Sequence, residues 1–147
     1  METAFQRDAN HVPITNLGLI ASKSITYAAG TTGAVGATTL FTVSGTVACN
    51  VFAICTDNLT SGGASTIEVG VSGNTASISS VQTSTDIDTN EVWTGSTLGV
   101  ASLVVGSKNV VNQDIIQTIK IATITGGSLT YYCLWTPLSE GATVTAA

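Results

Sequence analysis

Charge is what this chain has least of. Only 9% of its 147 residues are Asp, Glu, Lys or Arg, and the four basic ones, Arg7, Lys23, Lys108 and Lys120, are scattered. A phosphate backbone is held by clustered cations, so nucleic acid is not an expected partner. No apolar run approaches the roughly 18 residues of a membrane-spanning helix. The longest apolar stretches, residues 47–55 and 98–105, have the length of strands, and no membrane partner is expected. Residues 1–10 lack the apolar stretch of a cleaved secretory signal, which predicts synthesis in the cytoplasm.

The groups that catalysis needs are equally scarce. There is one histidine, His11, so a Ser-His or Cys-His nucleophile system has a single available base, and that base sits near the N-terminus. We expect no enzyme. The three cysteines, Cys49, Cys55 and Cys133, are odd in number and do not show metal-ligand spacing. In one straight strand Cys49 and Cys55 lie about 20 Å apart, too far to bridge, and both read as buried apolar thiols. Cys133 can pair with one of them only if its strand lies alongside, and a reducing cytoplasm argues against it.

Asp86-Ile87-Asp88-Thr89-Asn90-Glu91 has the alternating oxygens that open a calcium loop. Glu91 stands where such a loop has glycine, and Thr97 where it has a bidentate glutamate, so a solvated acidic loop is expected. No metal and no cofactor are expected. Asn58-Leu59-Thr60 fits a glycosylation acceptor only by a short pattern, without a secretion signal. The pairs Gly62-Gly63 and Gly126-Gly127 are not followed by a helix and a lysine, so they read as turns and not as phosphate loops.

What the chain does contain is a strand-forming vocabulary. Hydrophobic residues make up 44% of it, the mean hydropathy is +0.41, and Thr, Val and Ile recur between Gly, Ser and Asn at short intervals. Such a surface, poor in charge and rich in Thr, Ser, Gly and Ala, suits a protein packed against neighbours, although a compact secreted β-domain shares it. The pattern predicts strands near residues 17–27, 38–44, 46–57, 65–71, 75–81, 91–93 and 98–105. Residues 28–37 read as a Gly-rich loop. Residues 114–124 and 129–136 read as a hairpin about Thr125-Gly126-Gly127-Ser128. Residues 46–57 are apolar on both faces, as in a central strand, whereas 65–71 alternate and predict one wet face.

Roughly eight short strands and no helical period predict an all-β, single-domain antiparallel β-sandwich or jelly-roll-like barrel over residues 17–147. Val51, Phe52, Ile54, Ile67, Val69, Ile119, Ile121 and Trp135 are its expected buried residues. Trp93, Tyr131, Tyr132 and Trp135 read as core or interface packing, with stacking on sugars the alternative. Residues 1–16 have no period and contain Val12-Pro13, which favours extended backbone. They predict an extended N-terminal arm whose Phe5, Arg7, His11, Val12, Pro13 and Ile14 are candidates for an interface with a neighbouring subunit.

Three stretches carry a family likeness. The opening Phe5-Gln6-Arg7-Asp8-Ala9-Asn10-His11-Val12-Pro13 resembles the leader of small structural proteins of tailed-bacteriophage particles. Residues 51–75 and the closing Tyr131-Tyr132-Cys133-Leu134-Trp135-Thr136-Pro137-Leu138-Ser139 are similar to the same family. The resemblance implies a virion structural protein: a capsid decoration or cement protein on the outer capsid surface, with the major capsid protein and its own copies as partners, in a homotrimer or other symmetric oligomer. A neck, tail or head-fibre component, or a carbohydrate-binding host-attachment module, is the alternative.

Overall fold

The computed structural model describes residues 6–7, 13–14, 18–99 and 108–147. The first four form a two-stranded ladder, β1 (Gln6–Arg7) against β2 (Pro13–Ile14). The other described residues build two antiparallel sheets. The larger runs β3 (Leu19–Thr26), β12 (Ile124–Pro137), β5 (Val47–Ser61), β8 (Val92–Thr94) and β9 (Thr97–Gly99), with β10 (Asn109–Val111) also paired to β5. The smaller runs β13 (Thr143–Ala146), β4 (Gly36–Ser44), β11 (Ile115–Lys120), β6 (Thr66–Val71) and β7 (Asn74–Thr83). The expected all-β sandwich is therefore present.

The core lies between the sheets, and the period-two alternation of strands decides which residues enter it. In β5 the side chains of Val47, Cys49, Val51, Ala53 and Cys55 are buried, and in β12 those of Leu129, Tyr131, Cys133 and Trp135. The smaller sheet answers with Phe41, Ile67, Val69, Ile115 and Ile119. Each fully buried aliphatic or aromatic side chain contributes on the order of 1.5–3 kcal/mol from burial alone.

One polar cluster spans the layers. Tyr27 and Tyr131 each donate a hydroxyl to Gln117 Oε1, at 2.8 and 2.9 Å, tying the larger sheet to β11. Burial pushes both phenols up, so they stay protonated and serve as donors. At one margin of the sandwich, Lys23 Nζ of β3 donates to the carbonyls of Thr39 and Ala147, each at 2.8 Å. At the other, Ser80 N–H donates to Gly95 O at 3.0 Å.

Four expectations are corrected. Residues 114–124 and 129–136 are not a hairpin, because β11 belongs to the smaller sheet and β12 to the larger. The chain changes sheets between them at Ile121, whose φ of 72° turns the backbone and whose side chain is 74% exposed, not buried. Gly126 and Gly127 instead lie inside β12, in an irregular stretch of its ladder with β5. Gly127 has φ 95°, and a Cβ there would collide with the Asn58 backbone.

The predicted wet face of β6 is covered as well. Glu68 and Gly70 are buried because the start of β7 folds back over them, so closely that a Cβ on Gly70 would strike Asn74 and Thr75. Glu68 is held there by a 2.6 Å ion pair with Lys120 Nζ and a hydrogen bond donated by Thr75 Oγ1. Last, Phe52 and Ile54 are half-buried, for the reason developed next. Of the candidate strand 98–105, residues 98–99 belong to β9 and the rest lie outside the described residues.

Candidate interaction surface

Of the candidate interface residues, Arg7, Pro13 and Ile14 fall in the β1–β2 ladder, where Arg7 pairs with Pro13 and Gln6 with Ile14. Phe5, His11 and Val12 lie outside the described residues.

The groups with chemical potential are dispersed. Among the described residues no three His, Cys, Asp or Glu side chains come together to hold a metal ion. In the acidic loop, Glu91 Oε2 accepts from the Asp88 backbone N–H at 2.9 Å, and Asn58 Oδ1 accepts from Thr89 N–H at 2.6 Å. These bonds shape the loop from within. β12 does lie alongside β5, with Cys133 opposite Val51 and Trp135 opposite Cys49, so Cys49 and Cys133 are diagonal neighbours on the core face. All three cysteines are free and buried. The hydrogen bond from the Cys133 thiol draws Cys49 below its ordinary pKa against the effect of burial, while that bond and burial push Cys133 up. Burial also raises Cys55, whose thiol donates to Asp57 O at 3.2 Å. All three pack among the apolar residues of the core. Trp93 and Trp135 are 1% and 7% exposed, inside the core, so neither offers a face to a sugar.

The outer face of the larger sheet is different. The residues alternating with the core positions are Ile20, Ser22, Ser24 and Thr26 in β3; Thr130, Tyr132, Leu134 and Thr136 in β12; Ala48, Asn50, Phe52, Ile54 and Thr56 in β5; Val92 and Thr94 in β8; and Val110 in β10. Not one is Asp, Glu, Lys, Arg or His. The register lines them up in rows across the strands: Ile20, Leu134, Asn50; then Ser22, Tyr132, Phe52, Thr94; then Ser24, Thr130, Ile54, Val92.

The Tyr132 and Phe52 rings stack at the centre of this face, 5.3 Å apart and 18° from parallel. Ile20 and Val110 stand out from it, 62% and 68% exposed. Toward its ends, hydroxyls satisfy one another across strands, Ser24 with Thr130 at 2.8 Å and Thr56 with Ser128 at 2.7 Å. The same residues explain why β5 reads as apolar on both faces. One face packs in the core, and the other makes this uncharged band, which no further layer of the described residues covers. Strand apolarity was the sequence signal for it, but only the register shows that Tyr132, Leu134, Ile20 and Val110 join Phe52 and Ile54.

No family model, curated protein or solved structure matches the chain.

Proposed function

We propose that this chain is a structural protein of a tailed-bacteriophage particle, a decoration or cement protein that binds the outer capsid surface and stabilises the shell without catalysis. The observation that carries the reading is the uncharged, partly apolar outer face of the larger sheet. Solvated domains cover such a face with Lys and Glu, and its exposure here fits a protein that works packed against neighbours. The likeness of residues 5–13, 51–75 and 131–139 to small phage structural proteins adds the particle to that reading.

The mechanism is mass action. A protein that binds the assembled shell and not its dissociated subunits lowers the free energy of the shell, and many modest contacts add through multivalency. The partners are the major capsid protein and further copies of this chain. A net charge of −5 suits the outside of the shell, away from packaged DNA.

The test is the copy number of this chain relative to the major capsid protein in purified particles, measured by quantitative mass spectrometry. A lattice-decorating protein gives a ratio of roughly a few tenths to one, whereas a ring in the neck or tail gives about a hundredth. The low ratio would move the chain to a neck, tail or fibre, and absence from the particle would refute the virion reading.

A further inference from the structure

The same outer face points to a particular first partner. We infer that it is a self-association surface, on which a second copy of this chain packs its own larger sheet face to face about a two-fold axis. This builds on the reading of that face as a contact surface, and it names what covers it.

Three observations support a second copy over another occupant. The first is electrostatic. The chain carries −5, and among the described residues the exposed acidic groups Asp86, Asp88, Asp114 and Glu140 lie outside the strands, while Asp57 lies within β5, five residues beyond Phe52. Two copies that meet on the Phe52, Ile54, Tyr132 and Leu134 centre of this face bring no like charges together.

The second is pattern. The centre is apolar, with Phe52, Tyr132, Leu134 and Ile54, and hydroxyls flank it on both sides, Ser22 and Ser24 on β3 and Thr94 on β8. A two-fold axis through the Tyr132–Phe52 stack lays apolar on apolar and hydroxyl on hydroxyl, which an isologous interface requires.

The third is extent. The face is four strands wide, with β8 and β10 sharing the column beyond β5. At about 4.8 Å between strands and about 3.3 Å per residue over about ten residues, its flat footprint is roughly 600 Å². A surface studded with side chains has more accessible area than its footprint, so this approaches the roughly 800 Å² per partner of a standard specific interface. Aligned packing of two twisted sheets is an ordinary geometry for such faces.

Sedimentation velocity and light scattering on the full chain, across protein concentration, test this. The expected result is a species of twice 14.8 kDa. Ile20→Lys and Val110→Lys each replace a side chain already 62% or 68% exposed, so the monomer fold is retained, yet each puts two like charges into a two-fold interface. Each is expected to weaken the dimer by at least roughly a hundredfold. Thr145→Lys, on the outer face of the smaller sheet, is expected to leave it unchanged. A chain that stays at 14.8 kDa up to about millimolar concentration overturns the inference. So does a dimer that survives Ile20→Lys and Val110→Lys, or a larger species broken only by Thr145→Lys. A monomeric chain that still decorates particles at high copy number overturns the dimer while leaving the virion reading standing; a dimer absent from particles does the reverse.

Discussion

Replacing Lys120 by methionine isolates one buried charge. The Glu68 carboxylate is 2% exposed and bonded to Lys120 Nζ at 2.6 Å and to Thr75 Oγ1. Burial alone raises the pKa of Glu68, but the hydrogen bonds from Lys120 and Thr75 and the Lys120 charge outweigh it, so the group sits below the ordinary carboxylate value. Its folded pKa is thus depressed. The stabilisation is fully present above the unfolded value, near about 4.3, and is lost as pH falls through the folded one. Breaking a fully buried pair costs about 3–5 kcal/mol. The Lys120 side chain is 49% exposed, and water screens part of its charge, so Lys120→Met should cost about 1–3 kcal/mol at pH 7. Methionine keeps the apolar stem, which limits the packing loss. Urea unfolding of both proteins at pH 7 and again near pH 3 is the assay. The expected gap is about 2 kcal/mol at neutral pH and narrows as pH falls below the unfolded value toward the depressed folded one, because protonation of Glu68 removes the pair. An equal loss at both pH values would show that Lys120 acts through packing, and no loss at pH 7 would refute the pair as a stabilising contact.

Tyr131→Phe removes one of the two hydroxyls on Gln117 Oε1, leaving Tyr27 as donor, and should lower stability by about 1–2 kcal/mol in the same assay. An unchanged midpoint would mean the inter-sheet cluster carries no net energy. Ile121→Gly should raise the melting temperature by about 2 °C, because a left-handed backbone costs a β-branched residue about 1–2 kcal/mol and the 74% exposed side chain buries little. A fall in melting temperature would show that the isoleucine side chain matters more than its strain.

Several features of this fold were legible from residue order because they follow from local chemistry. The Thr, Val and Ile content and the lack of a helical period predicted strands, and the apolar run through residues 46–57 marked β5 as a central strand with two apolar faces. What residue order could not supply was the pairing of strands distant in the chain. Gly126-Gly127 has the chemistry of a hairpin turn and also of an irregular strand; only a partner, β5, decides between them. Glu68 alternates like a solvent-facing residue, and it is buried because β7 doubles back over it with a compensating lysine from β11. The uncharged face is the strongest case. Ile20, Phe52, Val110 and Tyr132 are unremarkable where each stands in the sequence, and they become one surface only because hydrogen-bond register sets β3, β12, β5 and β10 side by side.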